Sequence, residues 1–466
     1  MRTDRGRREF LKTAGFTPAL IAGSSILGAS DRDERGDAAS DSARYPYALG
    51  GAAPAGRPKR KLAALCTVYH YLSHAYHIVG RFIDGFVVHD GRGLHHPDFE
   101  IASLFIEQIH DDDLGRAKAK RHGVRLCPTI ADALTLGTDK LAVDGVLLIG
   151  EHGDYPINEK LQKLYPRGRF LFETLDVFQR SHKSVPVFID KHLSYNRFEG
   201  MKMVARSHTL KAPLMAGSSL PVTYRKPSLE VPLGKKWKEA LVASRGEIEL
   251  FGFHALESLQ CMVERRERNG KPQGVIAATC LEGDAVWKAG DAGKWSWELL
   301  DRAIARSHSH NPGDIRQNTL DFNASAKHTR LTPNPLAFLV EYADGFRGTV
   351  LIVNGHVDDT TIAARVENRP GVDSIVSTLF YLPAPPGADF FSPLVLRIED
   401  FLATGKSPYP VERTMLTGGI LDAAIQSRFE GYKRIETPEL AAIDYPPPAD
   451  SGYFRGPVAD ERPNEG

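Results

Sequence analysis

The sequence predicts a two-part α/β protein. A doubly wound parallel sheet comes first, followed by an α+β domain built on an open-faced, largely antiparallel sheet. Three observations predict it. Continuous apolar runs of strand length alternate with amphipathic segments from residue 61 to about 219. Runs without polar alternation are strands buried on both faces, the property of parallel sheets. Beyond 219 the pattern turns hairpin-like, with Asp344-Gly345 between two apolar runs. A length of 466 residues also exceeds what one core normally supports.

Taken in order, residues 1–30 read as a twin-arginine export signal. Arg7 and Arg8 precede Phe10, Leu11 and Lys12, and a weakly apolar stretch with Pro18 and several small residues follows. That stretch is too short and too polar for a stable membrane span. No cysteine closes it, so no lipid anchor is expected. The mature protein is therefore expected in the periplasm, or otherwise exported by this route, and off the membrane once the signal is cleaved. Residues 31–60, rich in Asp, Ala, Gly, Ser and Pro, read as a disordered linker. A net charge of +1 gives no bulk attraction to nucleic acid or anionic lipid. No basic stripe with interleaved aromatics is present, so nucleic acid is not expected as a partner. The four cysteines fit no zinc or disulfide spacing, and Cys66 and Cys127 read as buried free thiols.

In the first domain, residues 61–219, strand-like runs fall at 61–68, 100–107, 143–150, 185–190 and 213–216. Helical segments fall at 113–122, 129–136, 161–180 and 195–210. Ligands of doubly wound sheets bind beyond the carboxyl ends of the strands. That rule selects Tyr69, His70, Ser73 and His74 after the first run and Glu107 at the end of the second. It also selects Glu151, His152 and Asp154, then Asp190, Lys191 and His192. Convergence of ionisable groups on one edge is worth more than any single histidine. His70, His74 and His77 share a helix face if the helix begins by His70, so a divalent metal is one option for the pocket. Such spacing is more often structural, and no metal ligand is assigned.

The second domain, residues 220–440, carries the hairpin at 336–342 and 348–353 and further strands at 360–367 and 374–382. Helices are expected at 296–307, 392–403 and 413–429, the last returning to the first domain. Residues 441–466 form a tail. Trp287, Trp295 and Trp297 serve either as a sugar-stacking platform or as core, and core is preferred.

Several segments then carry a resemblance. They are Arg121-His-Gly-Val-Arg-Leu-Cys-Pro-Thr-Ile-Ala-Asp-Ala-Leu134, Val143-Asp-Gly-Val-Leu-Leu-Ile149 and Asp190-Lys191-His192 (where Glu-Lys-Pro would stand). Gly252-Phe253-His254 with Glu257, the stretch 398–410 and Ala423-Ala-Ile-Gln-Ser427 complete the series. In this order they resemble motifs of the Gfo/Idh/MocA dehydrogenase family across roughly 61–440. The resemblance implies a Rossmann-like first domain, NAD or NADP as cofactor, a carbohydrate-like small-molecule substrate and a homo-oligomer. It implies Lys191 and His254 as acid/base groups, with Asp190 and His192 beside them. Cofactor contacts would fall on Thr67, Tyr69, Ser73, Glu107, Glu151 and His152.

One departure is decisive. The family's glycine loop reads Thr67-Val-Tyr-His-Tyr-Leu-Ser-His74, with no glycine before Gly80. Glycines there let the backbone approach a pyrophosphate at a helix N-terminus. Tyr69 and Tyr71 are expected to fill the space instead. An insertion at 85–98 pushes Glu107 to roughly twice the usual ~20-residue spacing of a ribose partner. Leu250 stands where an Asp would precede the Gly-x-His. Three readings follow: an exported oxidoreductase with a non-standard or lost NAD(P) site; a non-redox lyase or epimerase in the same pocket, with or without a metal; and a non-catalytic sugar-binding protein on a decayed scaffold.

Overall fold

The computed structural model describes residues 59–88, 93–268 and 270–455. The expected signal, nearly all of the expected linker and residues 456–466 of the tail lie outside the described residues.

The chain enters its first sheet at β1 (Arg60–Cys66). The insertion forms a small hairpin, β2 (Phe86–Val88) and β3 (Gly93–His95). Strands β4 (Phe99–Ile106), β5 (Arg125–Cys127), β6 (Gly145–Ile149), β7 (Val187–Asp190) and β8 (Leu214–Gly217) then alternate with helices. The sheet order is β5-β4-β1-β6-β7-β8, and every pair is parallel. Strands β6 and β7 are wholly buried because helices cover both faces, which is why their sequences show no polar alternation. The order reverses between β1 and β6, and this switch point is where such folds open a crevice.

Two local differences bear on the site. The helix expected over 161–180 begins only at Arg167 and runs Arg167–Ser181. Asn158 and Gln162 close a turn ahead of it, Leu161 adopts φ 72°, and Pro166 sets the entry. Residues 150–166 are thereby freed to run over the strand ends. Strand β5 lies within 121–134 and has one buried residue in three, so no apolar run announced it.

The second sheet contains β9 (Tyr224–Lys226), β10 (Trp237–Ser244), β11 (Val275–Glu282), β12 (Leu336–Tyr342), β13 (Arg347–Ile352), β14 (Thr360–Arg369), β15 (Val372–Tyr381) and β16 (Ile435–Glu436). Its order is β16-β11-β12-β13-β10-β14-β15-β9, antiparallel except for the β10–β13 pair. The helices Leu250–Val263 and Val411–Phe429 pack on one face in a single apolar core. The other face is partly closed: helix Trp297–Ile304 lies over β10, β14 and β15. Trp287 stacks on Trp297 at 5.9 Å, and both Trp287 and Trp295 are buried. These tryptophans are core, not a sugar platform. Helix Phe391–Thr404 returns to the first domain and packs on helix His74–Asp84.

The expected tail is fixed as far as it is described. Arg265 donates to the carbonyls of Pro448 and Ala449, and Phe454 N–H donates to Val222. All four cysteines are buried and free. No helix among the described residues is long and apolar enough to cross a membrane.

Candidate active site

Strand β1 ends in a turn rather than a glycine loop. Thr67 is buried and its hydroxyl donates to the Glu151 carbonyl at 2.7 Å, tying β1 to the segment after β6. Leu72 adopts φ 62°, and Ser73 caps helix His74–Asp84 by accepting from Tyr76 N–H at 3.1 Å. The two tyrosines do not go where the sequence placed them. Tyr69 is 1% exposed and its ring lies in the core beneath the helix, where a Cβ on Gly80 would sit 3.4 Å from its hydroxyl. Tyr71 turns outward and packs edge-on against Tyr76 at 5.3 Å. An apolar ring body gains more from the helix–sheet core than from a polar crevice, and that decides Tyr69.

The crevice is spanned instead by residues 150–166. Asp154 N–H donates to the Gln108 side chain at 2.7 Å, and Gln108 donates back to the Asp154 carbonyl at 3.1 Å. Tyr155 donates to one oxygen of Glu107 and Arg169 to the other. His152 N–H donates to the Tyr165 hydroxyl at 3.2 Å. The carboxylate expected to hold a ribose is thus already engaged on both oxygens. The side chains expected to touch a nucleotide serve other ends: Thr67 and Ser73 bond internally, Tyr69 is core, and Glu107 is clamped. These residues do not fit a dinucleotide in the ordinary orientation.

Beside the spanned crevice lies a buried polar cluster. Lys191, at φ 69°, donates its N–H to Gly217, and its Nζ stands 3.5 Å from Glu151 Oε1. Arg167 donates to Glu151 Oε2 at 2.5 Å. Burial works to raise the Glu151 pKa, but Lys191 and Arg167 outweigh it and hold the carboxyl well below its ordinary value. His192, selected at the same carboxyl edge, turns toward the second domain. Its ring lies 3.3 Å from Arg167 Nη1, faces Glu249 at 3.7 Å and packs on Phe253. Burial, then Arg167, lowers its pKa. It braces Arg167 at the domain junction.

His254 enters from helix Leu250–Val263. Its Nδ1 is 2.9 Å from Ser218 Oγ, and the Ser218 hydroxyl and N–H both reach Glu257. Burial, then Lys191 and His74, hold His254 well below its ordinary pKa, so it is a neutral base near pH 7. Asp190 is fully buried and bonds His74 Nδ1 at 2.6 Å. His152 packs edge-on against His74 at 5.3 Å and His70 at 5.6 Å. Asp190, Lys191, Glu151, His152 and His254 therefore come together. Arg167 and Ser218 are the partners that sequence reasoning missed. Ser218 follows β8 at the same carboxyl edge, so the rule that selected the others could have found it. Nothing in the sequence marks Arg167.

Glu257 makes a measurable prediction. Burial raises its pKa to about 7 in the folded protein. The folded state then binds a proton that the unfolded state releases above the ordinary carboxyl range. This contribution is fully present at low pH and is lost as pH rises from about 4.5 to about 7. Glu257→Gln keeps an acceptor for the Ser218 N–H without the titration. Its stability relative to wild type is expected to improve across that window in urea unfolding at stepped pH. Parallel pH profiles for the two proteins would contradict it.

A divalent metal finds no support. Among the described residues no three His, Cys, Asp or Glu side chains are placed to hold one. The helical histidine face does not form, because His70 precedes the helix and His77 stacks on Phe391 at 4.7 Å. Burial, then Arg81, brings the His77 pKa down to about 3. Two surface cavities lie elsewhere, one at the amino ends of β1, β4 and β5 and one beside Arg302 and Asp373 on the second sheet.

Among solved structures, myo-inositol dehydrogenase from Lactobacillus casei in complex with NAD(H) and myo-inositol aligns with a TM-score of 0.50 at 10% identity. That alignment covers 82% of this chain and 100% of that one. GenD2 from gentamicin A biosynthesis, in complex with NAD, aligns with a TM-score of 0.48 at 13% identity over 83% and 99%. WlbA dehydrogenase from Bordetella pertussis, in complex with NADH and UDP-GlcNAcA, aligns with a TM-score of 0.46 at 13% identity over 82% and 98%. No protein-family model and no curated protein matches the chain. The likeness to the inositol dehydrogenase is one of fold: a six-stranded parallel domain joined to a mixed, mostly antiparallel sheet.

Proposed function

We propose that this chain is an exported enzyme of the Gfo/Idh/MocA type that moves protons on a sugar, glycoside or cyclitol, with no nicotinamide dinucleotide held in the ordinary orientation. The observation that carries this reading is the buried cluster joining Lys191, from the end of β7, to His254, from the second domain, around Glu151. A neutral imidazole takes or returns a proton while the lysine polarises the oxygen of the same substrate. The clamped Glu107 and the spanning segment 150–166 favour the lyase or epimerase branch over a redox one. The oxidoreductase reading has the fold likeness to myo-inositol dehydrogenase in its favour. Export rests on Arg7, Arg8 and the stretch that follows, and cell fractionation with N-terminal sequencing tests it. A homo-oligomer is expected by resemblance, and sedimentation tests it.

Calorimetric titration separates the two branches. NAD and NADP are expected to give no saturable heat below about 1 mM, equivalent to an affinity weaker than about 4 kcal/mol. Micromolar binding of either would overturn the non-redox reading and restore the dehydrogenase one.

A further inference from the structure

We propose that His74, oriented by Asp190, is a second acid/base residue of this site, facing a keto sugar or ketocyclitol from the first-domain wall while His254 faces it from the second domain. This inference rests on the proton-transfer reading above and adds a residue and a substrate class to it.

Three observations carry it. Asp190 is 0% exposed and binds His74 Nδ1 at 2.6 Å. That fixes the ring and leaves Nε2 as the nitrogen that exchanges protons, the arrangement by which a carboxylate orients a catalytic imidazole. His74 itself keeps 16% of its side chain exposed, so it is reachable. Asp190 Oδ1 and His152 Nε2 are both buried without a hydrogen-bond partner among the described residues. Each such group is unfavourable while it stays unpaired. Two of them beside one imidazole mark a place where a hydroxyl-rich ligand completes the bonding. His74 also opens the first helix after β1, at the position from which a dehydrogenase of this fold would present its cofactor. Helix Leu250–Val263 presents His254 from the other domain, with its Nδ1 2.9 Å from the hydroxyl of Ser218, the residue after Gly217, which pairs with Asp190.

The chemistry balances without a co-reactant. One histidine removes, as a proton, a hydrogen from the carbon next to the ketone. The C–H electron pair becomes the enolate π bond, and the carbonyl oxygen takes the negative charge beside Lys191. The imidazolium of the other histidine delivers a proton to the same carbon from the opposite face, restoring the ketone. One C–H bond breaks and one forms, nothing is oxidised or reduced, and the two imidazoles re-equilibrate with water.

The test uses the full-length chain in D2O with 2-keto-myo-inositol, following by NMR the loss of proton signal next to the carbonyl against a protein-free control. Wild type is expected to accelerate exchange, and His74→Gln to slow it by about 10²-fold or more. Asp190→Asn is expected to slow it less. Added imidazole is expected to restore part of the exchange to His74→Ala, which a merely structural histidine would not allow. Undiminished exchange in His74→Gln, or a loss that imidazole does not restore, overturns this inference and leaves the proton-transfer reading standing. No acceleration by wild type overturns both.

Discussion

Replacing Lys191 with methionine is expected to lower turnover by about 10²–10⁴-fold, the range for loss of one positioned proton-transfer or polarising group. Methionine keeps the unbranched stem, so the 3%-exposed site stays filled and the change is one of charge. The consequence reaches Glu151. Its carboxyl stays ionised because Lys191 and Arg167 together overcome burial. With Arg167 alone, the Glu151 pKa rises and the acid limb of the pH–rate profile moves upward. Deuterium exchange on the keto-cyclitol probe reads both effects. Wild-type exchange with an unmoved profile would remove Lys191 from the chemistry.

The second large effect is on stability. Arg413 and Glu264 form a bidentate pair with contacts of 2.9 and 2.5 Å, and Tyr445 donates to the same carboxylate at 2.9 Å. Both charges are at most 2% exposed. Glu264 ends helix Leu250–Val263, and Arg413 stands near the start of helix Val411–Phe429. Arg413→Met strands a buried carboxylate and is expected to cost about 3–5 kcal/mol in urea unfolding. Adding Glu264→Gln is expected to recover part of that loss, because the remaining group carries no charge. A single-variant loss below about 1 kcal/mol would show that water reaches the pair.

The first domain was legible because parallel strands covered on both faces leave unbroken apolar runs. The carboxyl-edge rule then singled out Glu151, His152, Asp190 and Lys191 with no knowledge of partners. Other parts left no such trace. Strand β10 opens Trp237-Lys238-Glu239, so two charged residues broke the apolar run, although Ala240–Ser244 is buried throughout. Arg167 looked like one more helical cation, and only the fold brings it to Glu151. Tyr69 misled because a side chain just past a strand can turn up into the crevice or down under the next helix. Sequence position does not distinguish the two, whereas core packing does. The insertion at 85–98 made Glu107 look distant, yet it still closes β4 and meets Arg169 and Tyr155.

On the non-redox reading, the segment over the strand ends acts as a tethered competitor. It is covalently part of the chain, so it is never diluted, and a free dinucleotide can enter only when Gln108, Glu107 and Thr67 release it. Apparent affinity scales with the fraction of molecules in which the segment is lifted. If lifting costs about 4 kcal/mol, that fraction is about one in a thousand, and an intrinsically micromolar site would read as millimolar. Discrimination against nucleotide is then set by the local stability of a loop in addition to the glycine-free turn after β1.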